Sequence, residues 1–364
     1  MKKSLLALAI LGTIAGSAAA QSSVTVYGVV DMGISRDDNG TATTTALNSG
    51  IQSGSRLGFR GVEDLGNGLK GLFTLETGLN VDTGGFGQGN TAFGRQSFVG
   101  LQGDFGAVKL GRQNTLLRDN LDALDPFRIG LAGDATRFFS QGGTNDTTKS
   151  ANGTPGAMGL NSGRMNNAIK YETPNLAGFS GQFEYGFGEV AGNNTTGRQI
   201  SGALQYANGP VMVALVHNVS DIAAISASAV GATPVIAAVP TDKVKTTLLG
   251  GTYDFGMVKA HAAADTVKSD ASIATRLDRR DYMIGATVPF GASTFLVDYT
   301  KRTNKVLSNA NSDQVALGYT YALSKRTNLY TSYARLSNDG LANMNAGGLG
   351  QTDNLFNVGV RHTF

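Results

Sequence analysis

Six charged residues frame the chemistry open to this chain. Asp119, Asp122 and Asp125 recur at every third position in Asp119-Asn-Leu-Asp-Ala-Leu-Asp-Pro-Phe127, a short helical turn that Pro126 should end. At that spacing the three carboxylates lie close to one face. Arg56, Arg95 and Lys170 are distant from one another in sequence, but each borders a stretch in which apolar and polar residues alternate. If those stretches are strands, a period of two assigns every side chain to a face. Turning Leu57, Phe59 and Gly61 outward puts Arg56 and Arg60 inside. Turning Phe98 outward puts Arg95 and Ser97 inside, and turning Ile169 and Tyr171 outward does the same for Lys170 and Glu172. Strand bases on one wall, opposed by acids on a loop, would set a transverse field. Such a field orders water and favours polar, dipolar or anionic solutes over apolar ones. The plainer alternative is a set of solvated charges lining a polar interior.

Bond-making chemistry has less support. The three histidines are His217, His261 and His362, and none accompanies a Gly-x-Ser-x-Gly or His-Glu-x-x-His pattern. A hydrolase needs a nucleophile, a base and an orienting group within reach, and no such set can be assembled from these positions. Asp104-Phe-Gly-Ala-Val-Lys109 and Asp254-Phe-Gly-Met-Val-Lys259 repeat a turn-then-strand unit rather than a kinase triplet. No residues stand at metal-ligand spacing and no cofactor motif is present, so neither a metal nor a cofactor is expected.

The elements that must carry these residues are strands. Phe179/Gly181/Phe183/Tyr185/Phe187 alternate with Ser180, Gln182, Glu184 and Gly186, and 282–288 and 314–323 show the same rhythm. Short turns fall at 64–67, 103–105, 174–177, 207–209, 254–256, 290–292 and 323–326. Longer polar connections fall near 36–52, 79–92, 113–163, 189–197, 219–243, 269–277, 303–311 and 337–353. Strict alternation of short and long connections is what an up-and-down barrel shows when its two rims face different compartments. The count gives an all-β fold, a transmembrane antiparallel barrel of about sixteen strands whose length suits a tilted crossing of hydrocarbon. In lipid an open sheet edge is not viable, so the terminal strand should close on Ser23–Ser35. A barrel of that width leaves an aqueous channel. Aromatics near the short turns (Phe105, Tyr171, Tyr206, Tyr253, Phe255, Phe290, Tyr321, Phe364) fit one interfacial girdle. The outlier is 113–163, long enough to fold into the lumen and narrow it, or to remain a solvated outer loop.

Composition agrees. The 364 residues include 50 glycines, 7 prolines and no cysteine, so a disulfide framework or thiolate site is impossible. Lys2 and Lys3, the apolar run Leu5–Ala15 and Ala18–Ala20 form a secretory signal peptide cleaved after Ala20, leaving one barrel domain over 21–364. Its removal lowers Lys+Arg from 30 to 28 against 27 acids, a net charge of about +1, which gives no warrant for a nucleic-acid partner. The apolar run Ile222–Val239 contains Gly231 and Pro234, and Pro240 follows, which favours an alanine-rich loop over a spanning helix. Further inward candidates are Asp31, Lys70, Glu76 and Lys109, with Lys70 close to a short turn. Arg112, at a strand end before the long connection, is another. In the last ten residues Phe356, Val358, Val360, His362 and Phe364 share one face.

Six ordered blocks resemble the β-proteobacterial general porins. They are Ser22-Ser-Val-Thr-Val-Tyr-Gly28 followed by Asp31, Ser55-Arg-Leu-Gly-Phe-Arg-Gly-Val-Glu-Asp-Leu-Gly-Asn-Gly-Leu-Lys70, Phe93-Gly-Arg-Gln-Ser-Phe-Val-Gly-Leu101, Leu110-Gly-Arg-Gln113, Asn167-Ala-Ile-Lys-Tyr-Glu-Thr-Pro174 and Val358-Gly-Val-Arg-His-Thr-Phe364. The resemblance covers essentially the whole mature chain. It implies an outer-membrane homotrimer of sixteen-stranded barrels in lipid and lipopolysaccharide, passing ions and small hydrophilic solutes. Each pore would be narrowed by its third outer loop. It places Arg56, Arg95 and Lys170 on the basic side of the constriction and the Asp119–Asp125 region on the acidic side. Phe356, Val358, Val360 and Phe364 would form the signal read by the barrel-insertion machinery, with His362 where tyrosine is common in other lineages. Rigid strand bases should be less screened than loop acids, so a weak anion preference is expected.

Overall fold

The computed structural model describes residues 23–139, 163–222, 242–270 and 277–364. The signal segment and the apolar run after Ile222 lie outside the described residues. The strands are β1 (Ser23–Asp38), β2 (Thr43–Ser49), β3 (Arg56–Gly66), β4 (Leu69–Asn80), β5 (Gly85–Phe86), β6 (Gln96–Gly103), β7 (Gly106–Asn114), β8 (Arg164–Glu172) and β9 (Phe179–Gly186). They continue as β10 (Gln199–Asn208), β11 (Val211–Ile222), β12 (Asp242–Asp254), β13 (Lys259–Ser269), β14 (Asp278–Phe290), β15 (Ser293–Asn304), β16 (Ser312–Ala322), β17 (Thr327–Asn338) and β18 (Asp353–Thr363). Sixteen form a closed antiparallel barrel in sequence order. The other two are β2, which extends the β3 position beside the upper half of β1, and β5, which pairs with the end of β4.

Alternation is visible as burial. On β13 His261, Ala263, Asp265 and Val267 are buried, whereas Ala262 and Lys268 are exposed. On β18 Asp353, Leu355 and Asn357 are buried while Phe356, Val358, Val360 and Phe364 face outward. The outward face carries Val24, Val99, Leu204, Ile284 and Leu317, all exposed. A contiguous apolar band of this kind marks a lipid-facing surface. The girdle aromatics fall on it near the short turns, with Phe179 against Tyr206 at 4.6 Å and Tyr253 against Phe255 at 4.5 Å between ring centroids.

Turn chemistry sets one rim. Asn67 and Gly68 join β3 to β4 with φ of 51° and 77°, the left-handed pair that a two-residue hairpin needs. The seam is made by β1 and β18, in register from Val29↔Thr363 to Asp38↔Asn354. Below them the amides of Gly28 and Phe364 each donate to the other's carbonyl at 3.1 Å. A Cβ on Gly28 would strike the Phe364 ring, so only glycine lets the ring lie flat across the seam. Gly28→Leu should therefore reduce the yield of heat-resistant barrel on refolding, read by gel migration with and without boiling. An unchanged yield would show that the ring does not seal the joint.

Two sequence-based assignments change. Glu76 stands opposite Gln96 and Thr74 opposite Phe98, so Phe98 faces inward and Ser97 outward, the reverse of the expectation. Lys109 Nζ lies 5.8 Å from the Phe98 ring centroid, which gives that aromatic a partner inside. Arg112 stands opposite Ser97 on the outward parity, the alternate positions Lys109, Gly111 and Gln113 being the inward ones. Its guanidinium bonds Gly94 O at 2.7 Å and Asn166, at the rim with the long connections.

Candidate functional site

The connection after β7 holds α1 (Leu116–Leu124) and one turn, α2 (Thr136–Phe139). Thr115 caps α1, its side-chain oxygen accepting from Arg118 N at 3.3 Å. One face of α1 is apolar. Leu116, Leu117, Leu121 and Leu124, with Phe138 and Phe139, pack against Ala203, Val216, Leu248, Ala263, Met283 and Leu336. Phe127, Leu131 and Ala132 pack against Leu296, Ala316, Tyr330, Ala334 and Leu355. All these wall residues belong to the buried parity of β10–β18, so the segment 115–139 rests on the inner surface.

Close approach is built into the wall. Cβ atoms at Gly250, Gly285 and Gly318 would fall 2.6 Å from Leu124 Cδ1, 2.8 Å from Pro126 Cγ and 2.7 Å from Phe127 Cε1. Polar contacts complete the docking. His261 Nδ1 bonds Leu124 O at 2.8 Å, Ser332 Oγ accepts from Ala132 N at 3.1 Å, and Arg302 donates to Phe138 O. Arg137 reaches Asp353 and Gln314. His261 is thus an inward anchor for the segment, whereas His217 and His362 bond threonines on the outside.

The acids of the segment separate into two kinds. Asp119 accepts from Lys170 Nζ at 2.8 Å and Asn114 Nδ2 at 3.0 Å. Asp122 accepts from Arg128 at 2.6 Å, and burial pushes its carboxyl up from the usual range. Asp125 does not join them on one open face. It lies at the end of α1, fully buried, accepting from the amides of Phe127 and Ile129 at 2.8 Å and of Ala135 at 3.0 Å. Its carboxylate ties the chain after Pro126 into a knot and offers nothing to a passing solute.

Burial pushes the Asp125 carboxyl up to about 7, although the three amides pull it down. A pKa raised on folding means that the protonated form stabilises the knot. That contribution is present at low pH and fades as pH rises through about 7. Open-channel current should therefore change with a midpoint near 7, and Asp125→Asn, which mimics the protonated group, should flatten the profile. A midpoint retained in that variant would assign the titration elsewhere.

The bases also separate. Arg95 Nε bonds Glu76 Oε1 at 2.6 Å, Arg56 Nε lies 3.7 Å from Glu76 Oε2, and Tyr27 OH donates to the same carboxylate at 3.0 Å. Arg95 reaches the interior because it precedes β6, not by the parity of Phe98. Lys170 faces inward as expected but is buried at 4 % exposure, consumed by Asp119 instead of joining the arginines. Arg118, Arg164 and Arg361 lie within electrostatic reach of this group and were not among the expected site residues. Burial, then the charge of Arg95, holds the Arg118 guanidinium below its usual value. Arg361 was readable from the inward parity of β18. Arg118 needed the helix to be docked.

The remaining candidates resolve simply. Asp31 is inward but fully buried, accepting from the amides of Gln52 and Ser53 at 2.7 and 2.6 Å and from Tyr330 OH at 2.6 Å. It anchors the connection between β2 and β3 and is no solute contact. Lys109 pairs with Glu172 at 2.8 Å. Arg60 is exposed over the Tyr27 ring, and Lys70 is exposed opposite Asp64 near the short-turn rim. Among the described residues no group of His, Cys, Asp and Glu could hold a metal ion.

A closed strand cylinder, apolar outside and charged within, defines a transmembrane channel protein of the β-barrel class. A family model for Gram-negative porins matches residues 7–341, and the chain belongs to that family. It is 34 % identical to an outer membrane porin protein 32 of Delftia acidovorans over the whole of both chains. It is 32 % identical to an outer membrane porin protein of Bordetella pertussis, covering 92 % of this chain and 94 % of the other. An anion-selective porin from Comamonas acidovorans superposes with a TM-score of 0.74 at 30 % identity, over 94 % of this chain and all of that one. The protein is an outer-membrane porin, and its relatives are channels, not enzymes.

Proposed function

We propose that the barrel passes ions and small hydrophilic solutes by passive diffusion with a preference for anions, through a passage narrowed by the segment 115–139. The observation that carries this is the arginine group: Arg56 and Arg95 share the Glu76 carboxylate, Arg164 lies within its electrostatic reach, and Arg118 and Arg361 lie within reach of Arg95 and Arg56. The acids expected opposite them are already engaged, Asp119 by Lys170 and Asp122 by Arg128, and Asp125 is buried. Fixed positive charge in a narrow, low-dielectric passage raises the local concentration of anions. The anion selectivity named for the Comamonas porin fits the same sign.

The working form is a homotrimer, as named for a Vibrio cholerae outer membrane protein in its trimer form, embedded in outer-membrane lipid and lipopolysaccharide. It is exported with residues 1–20 as a cleaved signal and inserted by the barrel-assembly machinery through the outward face of Phe356, Val358, Val360 and Phe364. The test is the reversal potential of purified, reconstituted protein under a potassium chloride gradient. Ohmic steps with a potential displaced toward chloride are expected. Displacement toward potassium would transfer control to the loop carboxylates, and no steps from folded protein would end the diffusion reading.

A further inference from the structure

The sheet is interrupted beside β1. Met32 pairs with Ser49 of β2 and Val29 pairs with Arg56 of β3, so the six residues 50–55 stand opposite Val30 and Asp31 alone. The excess cannot stay in the ladder, and it folds off the sheet toward the inner face, where Asp31 collects it. Gly50 N donates to Asp31 O at 2.8 Å, and Gln52 N and Ser53 N donate to its carboxylate. The amide of Asp31 in turn donates to Ser55 Oγ at 3.0 Å. Ile51 packs against the cluster of Phe127, Leu131 and Tyr330, and its carbonyl accepts from Leu131 N at 2.7 Å. A Cβ on Gly130 would strike Gln52 O, so the tip of the segment 115–139 lies directly on this turn. A polar network satisfied from so many sides is rigid.

Three guanidinium groups meet the turn. Arg56 Nη1 donates to Gly54 O at 3.1 Å, and Arg361 Nε donates to Ser53 Oγ at 2.7 Å. Arg95 lies against Gly54, where a Cβ would fall 2.8 Å from its Nη1. We propose that the turn 50–55 is the positioning element of the anion path, fixing Arg56, Arg95 and Arg361 relative to one another and to the segment 115–139. Glu76 supplies Arg56 and Arg95 with a counter-charge, but one carboxylate does not decide where long side chains point. An arginine has many rotamers, and a rigid brace that removes them keeps its charge at one place in the passage. That role rests on the preference for anions proposed above.

The test uses folded, reconstituted protein under a potassium chloride gradient. Gly54→Ala alters no charge, and its Cβ meets only the flexible end of Arg95, so the barrel should keep wild-type heat resistance. The Arg95 guanidinium should be pushed off Glu76, leaving that acid less compensated. The chloride-to-potassium permeability ratio should then fall about twofold. In an Arg95→Gln background, Gly54→Ala should change nothing further, which a general loosening of the fold would not reproduce. Ser53→Ala withdraws the acceptor of Arg361 and lets that charge lean toward Asp31, in register beside it. It should lower the ratio likewise, whereas Ser53→Thr, which keeps a hydroxyl, should restore it. An unchanged or raised ratio in either Gly54→Ala or Ser53→Ala would overturn the assignment, as would an undiminished effect of Gly54→Ala in the Arg95→Gln background. The sign of the wild-type potential tests the anion reading separately, because each variant is judged only by its difference from wild type.

Discussion

Arg56→Glu/Arg95→Glu should move the reversal potential from the chloride side to the potassium side. Each substitution changes the local charge by two units, so the pair changes it by four. At roughly 8 Å through water each unit charge acts on a passing ion by about 0.5 kcal/mol, and four amount to about 2 kcal/mol. That corresponds to a change of roughly thirtyfold in the occupancy of each ion, upward for cations and downward for anions. The effect should shrink toward 1 M salt, where the Debye length is about 3 Å. Glu76, which now receives both arginines, would be left among like charges, so Arg56→Gln/Arg95→Gln is the companion variant and should give an intermediate potential. If both variants keep the wild-type potential, the arginines at Glu76 do not govern selectivity.

The second large effect concerns the width of the passage. Gly318→Leu would drive a side chain into the site of the Phe127 ring, which is 2 % exposed and packed among Leu131, Leu296 and Ala316. Loss of that buried ring costs about 3 kcal/mol or more, enough to release the segment where Asp125 turns it. Current per channel should rise, and the dependence on Arg118, which α1 carries, should fall. Phe127→Ala is the reciprocal test, because it empties the same site without touching the wall. A Gly318→Leu channel with wild-type conductance would show that the segment does not limit flow.

The barrel was legible in the sequence because its code is a simple one. Period two, short turns and long connections are local properties, and the expected turns coincide with the seven short joins between strands. Parity failed where local pattern and geometry part. On β6, Phe98 and Val99 are both apolar, so alternation could not say which faced in, and the Lys109 contact decided it. At Arg112 plain alternation with Lys109 and Gln113 gives the outward face, so that position was readable by counting along β7. The role of Asp125 was hidden for a different reason. Its partners are backbone amides that converge only once the chain beyond Pro126 has folded back. The bases were found as residue types, but their partition between Glu76 and Asp119 depends on where the loop helix rests.

The seam has a kinetic side. It pairs residues 29–38 with 354–363, so the contact that closes the cylinder joins segments separated by more than three hundred positions, while nearly every other strand pair is sequence-adjacent. Hairpins can nucleate early and cheaply in entropy, but the last joint must wait for both distant segments. Until then β1 and β18 each present an unpaired edge with apolar side chains, a template for aggregation. A chaperone or insertion partner that covers those two edges would therefore control the rate at which the barrel matures, and slow variants should accumulate as hairpin-rich, unsealed sheets.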